Sequence, residues 1–290
     1  MLKRSGCALL FTVILSGCSM TSLQKEQLAR FGKATEVMGE FAEKELLQIR
    51  RGIIEMNTAM LILDAESKVA GIDLDSPTSA ESAAKRLAAV KALRCYGSIL
   101  NELATADRTA SIKEKAQELV DSFDSALEQG LSKEQKEAAT GIITSLGSMW
   151  VEKKKRDSVE AIVLSYQGSV ETLADLLAVD FAPLGTGYVG AYTAVAGKLK
   201  NRAVGVLSSG QHSASADREC AVSAFVMATG ATNRAAKLGA AAESAIASLK
   251  KANKELAEVM TQDTYAAQEL KAYAKHIRDL ISMAEVLADE

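Results

Sequence analysis

The sequence predicts an all-α protein, an elongated bundle of long antiparallel helices with coiled-coil-like heptad packing. Three observations carry this. Ala, Leu, Glu, Lys and Gln, all good helix formers, dominate the chain, and only two prolines occur in 290 residues. Alternating runs of Val, Ile, Thr and aromatic residues bounded by turn signals, the mark of strands, are essentially absent. Apolar residues recur instead at steps of three and four, which lines them along one helix face.

The elements follow in order. A first helix is expected from about Leu23 to about Val69, with Leu46, Ile49, Ile53, Met56, Met60 and Leu63 as a heptad stripe that continues backward through Phe41, Met38, Ala34 and Phe31. At 1.5 Å per residue such a helix reaches about 60 Å. Gly71 to Thr78 forms a break, after which Thr78 or Ser79 caps a helix carrying Leu87, Val90, Leu93, Tyr96 and Leu100. A third helix, from about Thr109 to Gln129, carries Ile112, Leu119, Phe123 and Leu127 and ends at Gly130. Ser132 starts another. A second stripe then runs through Val159, Val163, Tyr166, Val170, Leu173 and Leu177. Residues 208–217 are expected to be a polar loop, followed by an Ala-rich helix from about Asp217 whose residues 235–247 pack closely on a neighbour. A third stripe, Leu270, Tyr273, Ile277, Leu280, Ala284 and Leu287, closes the chain. Such faces can close one bundle or pair two copies, and the pattern does not choose between them.

The N-terminus has a different character. Met1-Leu2-Lys3-Arg4 is a short positive region, Cys7 to Leu15 is an apolar run, and Ser16-Gly17 is a small-residue exit. The run is too short for a spanning helix, which needs about 20 residues. Leu15-Ser16-Gly17-Cys18 resembles the lipobox of bacterial lipoproteins. That resemblance implies cleavage before Cys18, a diacylglyceryl group on its sulfur and an acyl chain on the new terminus. Several acyl chains anchor a protein stably without a transmembrane helix. The resemblance thus divides the chain into a signal peptide at 1–17, a lipidated tether at 18–24 and a helical bundle at 25–290. Ser19 follows the cysteine where an aspartate would favour retention in the inner membrane, so the outer membrane is favoured.

Charge and composition narrow the function classes. The whole chain carries −3, and loss of Lys3 and Arg4 with the leader leaves −5. An acidic chain lacks the basic footprint of nucleic-acid binders, and six Tyr, six Phe and one Trp give few stacking platforms. Lys153, Lys154, Lys155 and Arg156 form the one basic run; it reads as a solvated face or bend, or as a patch for anionic headgroups or an acidic partner.

Cys95 and Cys220 remain after lipidation, a candidate disulfide in an oxidising compartment or else two buried thiols. Residues 176–197 hold Asp180 as their only Asp or Glu, with Pro183 and several glycines. This segment reads as a buried turn between long helices, or as an apolar contact tip presenting Leu176, Phe181, Leu184, Tyr188 and Tyr192. Its Gly185-Thr186-Gly187-Tyr188-Val189-Gly190 matches a dinucleotide fingerprint in letters only, without the βαβ context that gives the motif its chemistry.

No catalytic constellation emerges. His212 lies in a Ser-rich loop and His276 on the last helix beside Asp279, where it reads as a surface or packing residue. Two histidines and no clustered cysteines argue against a transition-metal site. The expectation is therefore a non-enzymatic, lipid-anchored protein without cofactor or metal that binds or scaffolds a protein partner in the cell envelope, or acts in immunity there. The alternative is a membrane-acting protein that resembles helical pore-forming toxins in architecture, with 176–197 as its tip.

Overall fold

A computed structural model describes residues 20–64, 73–105, 109–126, 152–208, 215–261 and 268–288, together with positions 133 and 137. The described residues form seven helices and no strand: α1 (Ser22–Ile62), α2 (Ala80–Thr105), α3 (Thr109–Ala126), α4 (Glu152–Phe181), α5 (Tyr188–Ser208), α6 (Ser215–Thr261) and α7 (Gln268–Ala288). The all-α class and the bundle are as the sequence predicts.

Helix α1 starts on a capping box. Thr21 Oγ1 accepts from the Gln24 N–H at 3.1 Å, and Gln24 Oε1 accepts from the Thr21 N–H at 2.9 Å. Gln24 also donates from Nε2 to the carbonyl of Val259 at 3.0 Å, which ties the start of α1 to the end of α6. The expected tether at 18–24 is corrected accordingly. Met20 is 4 % exposed and Gln24 is fully buried, so the packed body begins at Met20 and any tether is confined to Cys18 and Ser19. The far end is corrected too: α1 stops at Ile62, capped by Leu63, short of the expected Val69.

Two spines organise the molecule. Helices α1 and α6, about 60 and 70 Å long at 1.5 Å per residue, run antiparallel over most of their lengths. Gln24 meets Val259 at one end, and Arg234 meets Glu45 and Gln48 nearer the middle. Beside α6 lie α4 and α5, placed end to end. Gln167 on α4 accepts from Asn253, Lys250 pairs with Asp175, and Lys200 on α5 sits over the Phe225 ring. The two short helices thus follow one long one, and both run antiparallel to it.

Helices α3 and α7 thicken one half, and α2 reaches further along α1, so that its Arg86 lies beside Tyr188 at the start of α5. Arg94 on α2 pairs with Glu43 of α1, Lys115 on α3 bonds Ser98 of α2, and Tyr273 on α7 reaches Thr35 of α1. One half therefore has six helices in section, and the far end has three: the last turns of α1, the first turns of α6, and α5. The six-helix half is centred on a chain of rings, Tyr273–Phe31–Tyr96–Tyr166–Phe123, with centroids 4.8–6.3 Å apart, one from each of five helices. All five side chains are fully buried.

The predicted stripes are the buried faces. Phe31, Ala34, Met38, Phe41, Leu46, Ile49, Ile53 and Met56 line α1 inward. Val159, Val163, Tyr166, Val170, Leu173 and Leu177 do so on α4, as do Leu270, Tyr273, Ile277 and Leu280 on α7. The described stripes are consumed within one chain. Helices α1 and α2 pack backbone to backbone: a Cβ on Gly97 would stand 2.4 Å from the Glu36 nitrogen and 2.6 Å from the Gly32 oxygen. Glycine at both positions lets the two backbones touch.

The expected Ser132 helix, the 209–214 part of the polar loop with His212, Leu127 and the side chains of Ala284 and Leu287 lie outside what the structure describes, apart from the helical positions 133 and 137.

Candidate functional site

The break between α4 and α5 is the most chemically varied place in the described molecule. Asp180, the lone acid of the apolar segment, sits at the last turn of α4. Its carboxylate accepts from Arg86 Nε of α2 at 2.7 Å and from the backbone N–H of Tyr188, the first residue of α5. One carboxylate thus ends one helix and caps the next, where negative charge suits the exposed N–H groups. Arg86 also donates to Ser82 Oγ at 2.5 Å and stacks its guanidinium 4.6 Å from the centre of the Tyr188 ring. Burial raises the Asp180 carboxyl above its ordinary value, and the hydrogen bond and charge of Arg86 offset part of that rise.

The glycines of this turn act by close approach. A Cβ on Gly187 would lie 2.0 Å from the Val179 carbonyl oxygen, and one on Gly190 would lie 2.2 Å from that of Gly185. The dinucleotide-like string is therefore a tight helix-to-helix connection. The N–H of Tyr188 within that string already has an acceptor in the Asp180 carboxylate, belonging to the chain itself.

The contact-tip expectation does not survive in this geometry. The segment lies halfway along the bundle, with Phe181 3 % and Tyr188 2 % exposed. Phe181 stacks on Phe41 at 6.3 Å, and Tyr192 is half-buried against Gly52 of α1. Desolvation raises the phenols of both Tyr188 and Tyr192. Only Leu184, 88 % exposed, and Leu176, 45 % exposed, face outward among the five residues. The buried-turn reading is the one the geometry supports, because the aromatic rings fill the seam that the helix break opens.

A groove of about 390 Å³ adjoins the break on the α6 side. Ala178, Phe181, Pro183, Ile246 and Ala247 supply apolar walls, and the Pro183 ring lies where a Cβ on Gly239 would stand. Lys250 Nζ and Asp175 Oδ1 close one edge at 2.8 Å, and Glu243 stands on the wall. The hydrogen bond to Asp175 raises the Lys250 ammonium above its usual value. Val179, 53 % exposed, and Leu184 extend the apolar surface nearby. Such a groove can take an apolar side chain while the charged edge fixes its direction.

The other candidate residues are dispersed. Cys95 is buried on α2 beside Ser122, and Cys220 is exposed near the start of α6; neither is bonded. Cys95 stands next to Arg94, which meets Gly39, whereas Cys220 is 14 residues above Arg234. Helix rise separates them by about 30 Å, far beyond the roughly 7 Å a disulfide allows. The disulfide expectation is thus corrected. In the basic run, Lys155 is 4 % exposed and Arg156 half-buried, so the four do not form one open patch; the side chains of Lys153 and Lys154 lie outside the description. Cys18 lies outside it as well.

His276 packs as expected but has a partner: its Nδ1 is 2.5 Å from Ser248 Oγ. Ser248 is 6 % exposed in the α6–α7 seam, so this hydroxyl cross-links two helices and is closed to a substrate. Among the described residues no group of His, Cys, Asp and Glu is placed to hold a metal ion. No described helix is long and apolar enough to cross a membrane.

No protein-family model, curated protein or solved structure matches the chain.

Sequence reading missed Arg86, Lys250 and Gly239. Asp180 carried a signal, as a lone acid in an apolar run that needs a buried partner. Arg86 is 94 positions away, and nothing local marks it as that partner.

Proposed function

We propose that this chain is a lipid-anchored protein of the cell envelope, favouring the outer membrane, that binds or scaffolds a protein partner without bond-making chemistry. The lipobox-like Leu15-Ser16-Gly17-Cys18 carries the anchoring half of the reading. The apolar groove beside the α4–α5 break supports the binding half, because it offers a partner a shaped, partly charged cleft between two packed helices. The long spines suit reach and contact. Burial of Phe181 and Tyr188 supports this reading over a membrane-acting tip.

The test is capture of cross-linked partners from envelopes by the acylated wild-type protein and by Ala247→Glu. Ala247 is exposed on the groove wall, so the added carboxylate blocks apolar docking without disturbing the core. The expected result is a partner retained by the wild type and lost by the variant, with equal helical circular dichroism. Identical recovery by both proteins would remove the groove from the account, and no recovery by either would remove partner binding.

A further inference from the structure

The far end of the bundle presents a seam that no described element covers. Helix α5 touches α1, α4 and α6 and no other described helix. Its two sides differ in their partners: Arg202 meets Asp64 of α1, and Lys200 lies over the Phe225 ring of α6. On the second side the α5–α6 seam faces outward. Gly197, Asn201 and Val204 follow at steps of four and three on α5, and Val222, Phe225 and Thr229 at steps of three and four on α6. That spacing lines each set along one helix face. The helices are antiparallel, so Val204 is level with Ala221 and stands beside Val222. Both valines are exposed, and Phe225 and Thr229 are half-buried. A Cβ on Gly197 would meet nothing within 4 Å, so the seam has room there.

The middle of the seam carries charge of one sign. No Asp or Glu occurs from Ala182 to Ser208 or from Cys220 to Ala242. Of the cations in those spans, Arg202 and Arg234 are bound to Asp64 and Glu45 of α1, and Lys237 stands about three turns beyond Val226. Lys198 and Lys200 are left at the seam, both exposed. The neighbouring carboxylates lie elsewhere. Asp217 and Glu219 stand at the outer end of the seam, on either side of Arg218, and Glu55 acts on Tyr192 from the α1 side.

We propose that the α5–α6 seam is a second docking surface, for an amphipathic partner helix whose apolar stripe is flanked by Asp or Glu side chains set against Lys198 and Lys200. It is separate from the groove beside the α4–α5 break and goes beyond the binding role proposed above. A helix fits because two antiparallel helices with heptad-spaced outward residues offer a furrow for the ridges of another. With α1, α5 and α6 it completes a four-helix section. The furrow runs about 17 Å from Gly197 to Ser208, or three turns. Charges flanking an apolar stripe set partner choice, and two lysines without a facing carboxylate select an acidic flank.

The test uses the full-length acylated protein in detergent micelles and two labelled amphipathic peptides of about 18 residues, five helical turns. They share one leucine stripe, flanked by Glu in the first and by Lys in the second. Fluorescence anisotropy should show the Glu peptide bound at least tenfold more tightly. Lys198→Glu with Lys200→Glu should remove or invert that preference. Val222→Asp should weaken the Glu peptide at least tenfold with equal helical circular dichroism, and Ala247→Glu should leave it unchanged. Equal binding of the two peptides, or binding of neither, overturns the proposal. Loss of the Glu peptide through Ala247→Glu but not through Val222→Asp places it in the other groove and also overturns it. A dimer of the protein alone that Val222→Asp dissolves gives the seam to a second copy. Binding to phosphatidylglycerol vesicles that the two lysine substitutions abolish, with the peptides unaffected by them, gives it to lipid. Either result overturns the partner helix, and all four leave the groove and the lipid anchor to their own tests.

Discussion

Arg234 of α6 donates from Nη2 to Glu45 Oε2 of α1 at 2.7 Å, inside a seam where the Glu45 side chain is only 2 % exposed. The same nitrogen reaches Gln48 Oε1 at 2.6 Å. The pair joins the two spines near the level of the α4–α5 break. Taking one partner from a buried ion pair leaves the other charge desolvated, which costs about 3–5 kcal/mol. Glu45→Ala should therefore lower the urea midpoint strongly, whereas Glu45→Leu with Arg234→Leu should cost much less. A midpoint for Glu45→Ala equal to that of a surface substitution would mean that the pair is solvated.

Gly97 and Gly230 give a matched contrast. Gly97→Ala places a Cβ against the backbone of Glu36, and overpacking of this kind costs about 1–3 kcal/mol. Gly230 is exposed within α6 with open space at its Cβ position, so Gly230→Ala should stabilise by about 1 kcal/mol through helix propensity. Denaturant unfolding of the two variants should move in opposite directions. Two shifts of the same sign would contradict the α1–α2 contact.

The thiols should behave unequally. Cys220 should react with a maleimide in the native protein, and Cys95 only after unfolding. Burial, with a smaller contribution from Glu118, also raises the Cys95 thiol above its ordinary value, which lowers its thiolate fraction. Reductant should leave the unfolding curve unchanged. Native labelling of both cysteines would show that the α2–α3 seam opens freely.

Stability should fall in alkali. Burial raises the phenols of Tyr96, Tyr166 and Tyr273 well above their ordinary value. Unfolded tyrosines ionise near pH 10 while these three keep their protons, so above that pH the unfolded chain binds fewer protons and stability declines as pH rises. Below it, phenols are protonated in both states and contribute no slope. Phenolate absorbance should appear for these residues together with the loss of helix. Their ionisation in the folded protein near pH 10 would contradict the ring chain at the core.

The hydroxyls of this ring chain differ as well. Tyr273 bonds Thr35 Oγ1 at 3.3 Å, but the buried Tyr96 hydroxyl has no partner among the described residues. Tyr96→Phe should be neutral or stabilising, and Tyr273→Phe should cost about 1 kcal/mol. Comparing their urea midpoints checks the assignment, and a larger loss from Tyr96→Phe would reverse it.

Much of the fold was legible because its helices are amphipathic. Phe31 to Met56, Val159 to Leu177 and Leu270 to Leu280 each announce a buried face by spacing alone. The start of α1 was expected near Leu23 without its cap: the Thr21-x-x-Gln24 capping box went unread because its polar letters also suit a tether. Lys155 shows the converse limit: four consecutive cations point all round a helix, so one of them turns inward. The groove and the Arg86–Asp180 pair were not legible. They arise where α2, α4 and α6 meet, and such meetings depend on contacts across 56 to 94 residues that no local pattern encodes.

The inward face of α6 changes character along its length. Its first half presents Ala221, Ala224, Ala228, Ala231 and Ala235, whereas its second half interleaves Ala242, Ala245, Ala252 and Ala257 with the larger Leu238, Ile246, Leu249, Leu256, Val259 and Met260. Methyl-sized side chains withdraw less apolar area from water per residue than leucine or isoleucine. The protein is therefore graded along its axis, and amide exchange should be quickest in the alanine-faced half. That half is where the chain would first loosen and reshape itself around whatever it meets.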